Sequence, residues 1–275
     1  MRMNSSFRLG ALLLAAACAG GCAAAGTGTP IAAGDLVMLQ YTCRLADGTL
    51  AATTQPNGEA GNLPTSPVYL RPSTTEPVVV IAGQGLKADK PVTRRSFEDE
   101  IAVQLAKRLV GLPAGVGSRL EIRGDGSLLA DGQSHKLPMA TVRQRLKEHR
   151  LDRAGYKART GKEAEIGQEF SVDPNVPGKV AGINGDEVLI RFTAAVGSTV
   201  ETPFGKGVIR ETPEHFEIVL SPKVGTLVRT GPIVGRIAEA NERQFVVDYS
   251  DLLGGETLTC TATPELRPPA SEVAR

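Results

Sequence analysis

The stretch from about residue 161 to 262 repeats itself, and this limits the folds open to the chain more than any other feature. Gly178-Lys179-Val180-Ala181 returns as Gly235-Arg236-Ile237-Ala238, and Val188-Leu189-Ile190-Arg191-Phe192-Thr193 returns as Phe245-Val246-Val247-Asp248-Tyr249-Ser250, each pair 57 residues apart. Gly197 matches Gly254 at the same spacing, and Gly167 and Gly225 open the two copies. Asn184-Gly185 is a strong two-residue hairpin signal, and Asn241-Glu242 fills the equivalent turn. A long period seen only twice predicts a duplication rather than a solenoid. We read two small β units, 161–211 and 212–262, with few helix signals.

Upstream, residues 34–122 carry a different pattern. Val37, Leu39, Tyr41, Cys43 and Leu45 alternate with Met38, Gln40, Thr42 and Arg44, the period of a strand with one buried face. Ala46-Asp47-Gly48 predicts a turn, residues 55–76 a loop, and Val78–Ile81 a second strand closed by Gly83. Ser96 followed by Asp99 fits a capping box. Phe97, Ile101, Leu105 and Leu109 then give a helix one apolar stripe, ended by Gly111 and Pro113. Val116–Ile122 reads as a strand. Residues 123–160 read as a linker with a basic helix. There Arg143, Arg145, Lys147, Arg150 and Arg153 either face solvent or touch an anionic partner.

The first residues read as an export signal. Arg2 and Arg8 precede a short apolar run from Leu9 to Ala19, too short to span a bilayer. Small residues then lead to Cys22, which is expected to be lipidated, so that 1–21 is removed and 22–33 is a tether. The reading makes the protein a periplasmic or outer-membrane lipoprotein that touches the membrane only through its anchor. The signal takes two arginines with it. That leaves 29 basic residues, from 31, against 30 acidic ones, and no basic surplus to argue for nucleic acid. There is no CxxC, and His135, His149 and His215 have no ligand spacing, so neither a metal nor another cofactor is expected. Nucleophile-elbow, zinc-protease, P-loop and dinucleotide motifs are missing from the sequence. Seven Phe, four Tyr and no Trp argue against a pocket of stacked rings.

The ordered set of motifs resembles the FKBP-type peptidyl-prolyl isomerases. Gly34-Asp35-Leu36-Val37 through Gln40-Tyr41-Thr42 and Leu45-Ala46-Asp47-Gly48 is similar to the family's opening strand and turn. Leu109-Val110-Gly111-Leu112-Pro113-Ala114-Gly115 is similar to the close of its helix. Val224-Gly225 through Asp248–Leu258 resembles the insert-in-flap domain of the SlyD-type branch. The resemblance implies an α+β, mostly β fold: one FKBP-like antiparallel sheet wrapping one helix, plus a duplicated insert-in-flap-like β domain. It implies that Thr257–Ala262 returns to pair beside the first strand, with Cys43 and Cys260 in contact or disulfide-bonded, and that 263–275 is a tail.

Family resemblance also assigns a site. Tyr41 matches the catalytic-rim tyrosine, and the prolyl pocket maps to Ala51, Ala52, Val78, Leu105 and Cys260. The family's pocket Phe and rim Asp are thereby replaced by alanines, and its helix-floor and strand rings by Leu105, Val78 and Cys260. Phe97 takes the floor position only with a shifted register. The family's activity, on unfolded or proline-containing polypeptides, is expected in weakened form, with chaperone-like holding by a face containing Phe192 and Tyr249. The alternative is a non-catalytic structural or assembly lipoprotein that binds other proteins.

Overall fold

The computed structural model describes residues 28–57, 59–88, 90–125, 135–171 and 173–267. The expected signal, Cys22 with its expected lipid, the first half of the tether and the end of the tail lie outside the described residues. In chain order the strands of the N-terminal body are β1 (Leu36–Arg44), β2 (Leu50–Thr53), β3 (Val78–Ile81), β4 (Gly85–Leu86) and β5 (Ser118–Arg123), with helix α1 (Phe97–Ala106) between the last two. Next come β6 (Lys136–Ala140), β7 (Val142–Leu146), β8 (Glu148–Asp152) and the short helix α2 (Arg153–Thr160). Three three-stranded units follow. They are β9 (Glu169–Phe170), β10 (Gly178–Asn184) and β11 (Glu187–Phe192); β12 (Thr199–Thr202), β13 (Gly205–Glu211) and β14 (His215–Leu220); and β15 (Leu227–Thr230), β16 (Ile233–Ala240) and β17 (Gln244–Asp248). Strand β18 (Thr257–Leu266) ends the fold.

The expected architecture needs correction. In place of one FKBP-like sheet wrapping one helix with a doubled insert, the strands are divided among four antiparallel sheets, and two α-helices lie among the described residues. One sheet has six strands, ordered β4-β3-β1-β18-β5 with β2 on β1. The other three have four strands each, and each takes one strand from the run β6–β8. The basic segment is thus a chain of strands, not a helix: β6 pairs with β17, β7 with β14 and β8 with β11.

The physical reason lies at the corners between those strands. Thr141 donates its N–H to the Arg243 carbonyl of one unit and accepts from Leu220 of the next. Lys147 likewise donates to Glu214 and accepts from Phe192. His135 and Arg153 make the outer half of the same pattern, with Tyr249 and Asp186. The segment is a central ribbon that changes sheet at each corner. Arg143 and Arg150 stay exposed to solvent, while three of the ribbon's basic side chains lie over rings: Arg143 is 4.6 Å from the Phe204 centroid, Arg145 5.7 Å from Phe192 and Lys147 5.3 Å from Phe216. Their methylene stems cover apolar surface while the charge stays near water, so no apolar period marks the strands in sequence.

The repeat is threefold. Gly167, Gly197 and Gly225 each have φ near +86° and each donate at 2.8 Å to the middle strand of their unit, at Val180, Ile209 and Ile237. Those residues donate at 2.9–3.0 Å to the residue after each glycine, Gln168, Ser198 and Thr226. A second glycine recurs at Gly178, Gly207 and Gly235, where an added Cβ would lie 2.6–2.8 Å from Phe192, Ile218 or Tyr249. The first and third units share a register shift, at Val180/Gly182 and Ile237/Glu239, while β13 pairs without one. A bulge inserts one residue into a strand. The outer copies therefore match each other in spacing and hide the middle one.

Two cores result. One lies between the six-stranded sheet and α1 and includes Leu39, Tyr41, Phe97, Leu105 and Leu258. The second gathers the inner faces of all three units with Tyr156 of α2. Residues expected as tether partly belong to the body: Ile31 is 1% exposed and exchanges backbone hydrogen bonds with Leu112 and Gly111. The expected tail begins as strand, since β18 runs on to Leu266, opposite Val37.

Candidate functional site

Alternation along β1 sends Val37, Leu39, Tyr41 and Cys43 to the inner face of the body. The register sets Cys43 opposite Cys260 on β18 and opposite Ala52 on β2. Cys43 and Cys260 are joined by a disulfide that links residues 217 apart in sequence. The Tyr41 backbone is clamped from the β2 side. Its N–H donates to Thr54 Oγ1 (2.9 Å), and its carbonyl accepts from Thr54 N–H (3.0 Å) and Thr53 Oγ1 (3.1 Å).

The residues that family resemblance assigns to a pocket are close to one another, in one core. Ala51, Leu105 and Cys260 have no exposed surface, Ala52 has 2%, and Val78 is half-buried against them. Tyr41 is 4% exposed. Burial, with Glu98 and Asp99 nearby, pushes its phenol far above its ordinary range, so it stays neutral and holds no proton that is readily given up. Phe97, the ring placed by sequence only under a shifted register, is fully buried in the first turn of α1.

The third unit closes over this end of α1. Phe97 N–H donates to the Pro232 carbonyl at 2.9 Å. Arg229 donates to both Glu98 carboxylate oxygens (2.8 and 3.0 Å) and to the Val68 carbonyl (2.8 Å), with its guanidinium 5.9 Å from the Phe97 centroid. Leu227, Val234 and Leu253 join the body core. Arg236, one strand across, bonds Glu256 and the Gly254 carbonyl. Sequence reasoning missed Arg229 altogether. Its partners on the body, Glu98 and Val68, lie more than a hundred residues away, and no local pattern marks such a pair.

A second group of polar residues forms a separate site. Gln144, Arg145, Leu146, His149, Arg159, Phe170, Phe192 and His215 line a cavity of about 320 Å³ between the ribbon, α2, the first unit and the edge of the middle one. Two histidines read from sequence as scattered surface residues are therefore brought together. Phe192, expected on a binding face, is 4% exposed, and Tyr249 is partly buried with its hydroxyl 2.9 Å from Thr230 Oγ1. Among the described residues no three His, Cys, Asp or Glu side chains are grouped to hold a metal ion. No family model matches the chain, and no curated protein matches it in sequence.

Proposed function

We propose that the protein is an exported, lipid-anchored, non-catalytic polypeptide-binding protein that holds unfolded or maturing clients through its three β units. An isomerase must offer an open apolar pocket that grips the prolyl amide in its twisted state, against a barrier of roughly 18–20 kcal/mol. Full burial of Ala51, Leu105 and Cys260 beside Tyr41, under a hairpin anchored by Arg229, supports a structural role for these residues instead.

The observation that carries the holding role is a repeated exposed side chain. The residue before the opening glycine of each unit is aliphatic and open to solvent: Ile166 is 71% exposed, Val196 50% and Val224 62%. Leu253 precedes Gly254, where β18 begins its return, and is fully buried in the body core. That turn differs from the other three, since Gly254 N–H donates to the Asp251 carbonyl and not to a middle strand, so the exposed aliphatic is a feature of the three unit-opening turns. Isolated exposed aliphatics are ordinary, but their recurrence at one structural position in all three units supports a holding role.

The test is aggregation of a reduced client followed by light scattering. The intact chain is expected to delay aggregation, and the triple variant Ile166→Ser, Val196→Ser, Val224→Ser to lose most of that effect while keeping its circular dichroism. No delay by the intact chain, together with capture of a single folded partner, would move the assignment to a structural assembly role.

A further inference from the structure

The cavity between the ribbon and the first unit carries a charge pattern that the holding surface does not explain. Arg145 and Arg159 line it with His149 and His215, and no carboxylate is among its lining residues. Arg159 Nη1 lies 3.4 Å from His149 Nε2, and Arg145 rests on the Phe192 ring; neither arginine forms an ion pair among the described residues. Nearby carboxylates are engaged elsewhere: Glu217 accepts from Gln144 (2.8 Å) and Glu148 from Arg191 (2.9 Å). Arg143, like Arg145, lies on a ring, over Phe204, whereas other ribbon cations are engaged by oxygen. Lys147 pairs with Glu211, Arg150 with Glu187, and Arg153 bonds the Gly185 carbonyl. The floor is apolar, from Phe170 and Phe192, and Leu146 stands 45% exposed at the edge.

We infer that this cavity binds the C-terminal residue of an extended polypeptide, its free carboxylate on Arg145 and Arg159 and its apolar side chain against Phe170, Phe192 and Leu146. Two guanidinium groups suit a carboxylate because each offers a planar fork of donors. The volume is near the lower end of ligand pockets, roughly 300 Å³, so it admits one residue and not a longer segment. His215 borders the same space and supplies a donor for the last peptide carbonyl, since Gln144 Nε2 is held by Glu217 and His149 Nε2 faces Arg159. Capture of a chain end is an established form of peptide recognition, and it sets register where an apolar surface alone does not. The inference rests on the polypeptide-binding reading for its choice of ligand, but on a different surface.

The test uses the whole chain in mild detergent and a fluorescein-labelled hexapeptide ending in leucine, as free acid and as amide, followed by anisotropy. Loss of the carboxylate is expected to weaken binding by about tenfold or more, the scale of a charged hydrogen bond. Arg159→Gln, on the exposed side of α2, is expected to weaken the acid by about fivefold or more and leave the amide unchanged. Leu146→Ser, which removes apolar contact without touching charge, is expected to weaken acid and amide alike. Equal affinity for acid and amide overturns the inference and leaves the holding role standing. Acid-specific binding with no suppression of client aggregation does the reverse. Full competition by octanoate at the peptide's own affinity overturns the peptide assignment, since the cavity is then a site for small carboxylic acids.

Discussion

The two cores of this protein are built by opposite means. The body closes over long sequence distances: β1 and β18 pair along eight residues and are bonded through Cys43 and Cys260, 217 residues apart. It buries only two rings, Tyr41 and Phe97. The three units close locally, each around its own glycine turn, and are joined by a ribbon that gives each one strand. Their shared core holds Tyr156, Phe170, Phe192, Phe204, Phe216 and Phe245. In a chain poor in rings, most have gone to the units and almost none to the place where family resemblance set a prolyl pocket. Aromatic packing holds the units together, whereas covalent and long-range pairing holds the body.

The strongest way to break this comparison is to remove the disulfide. Closing so long a loop is worth about 5 kcal/mol on the chain-entropy account. The Cys43→Ala, Cys260→Ala variant is expected to lose most of this in urea unfolding. Hydrogen exchange should locate the loss at Leu39 and Tyr41, with amides of Ile190, Ile218 and Val247 still protected. Equal loss of protection in both regions would mean that they fold as one unit.

Arg229→Ala tests the junction between them. The Arg229 side chain is 9% exposed and Glu98 33%. The expected cost is about 2 kcal/mol, below the roughly 3–5 of a fully buried pair because Glu98 keeps contact with water. Separation of one thermal transition into two would identify Arg229 as the main coupling. Gly207→Ala sharpens the threefold reading. Its Cβ would meet Ile218 at 2.7 Å, as at the equivalent glycines of the other units, and overpacking of this kind costs about 1–3 kcal/mol. The smallest effect is expected at the α1 cap. Ser96→Ala removes the hydroxyl that accepts from Asp99 N–H and costs about 1 kcal/mol. Burial raises the Asp99 carboxyl, but Lys90 and Ser96 outweigh it and hold the pKa below its ordinary value. That stabilisation is therefore full above the ordinary carboxylate pKa and fades as the pH falls through the lowered one. An acid titration of urea midpoints checks it.

Much of the body was legible in sequence. Period-two alternation from Val37 to Cys43 gives β1 directly, and Ser96 with Asp99 marks the start of α1, where both reciprocal bonds of the capping box form. The units were half legible. The outer two share a bulge and so share a spacing, while the middle one lacks it and carries Leu220 where the others have Phe192 and Tyr249. The offset of Gly207-Val208-Ile209 from both outer glycines was the signal that would have found it. The ribbon was illegible, because its arginine stems lie on distant rings and its strands turn corners at Thr141 and Lys147 through bonds to residues far away in sequence. His149 and His215 line one cavity because the first sits on β8 of the ribbon and the second on β14, which pairs with the neighbouring ribbon strand β7.

The central claim, that an isomerase-like motif set here serves structure and not catalysis, is tested most directly by the rate of cis–trans exchange in a short X–Pro peptide. Uncatalysed exchange takes tens of seconds at 25 °C. With the oxidised chain added in stoichiometric amount, the rate is expected to stay at that value. Acceleration by an order of magnitude that disappears in Tyr41→Phe would contradict the account.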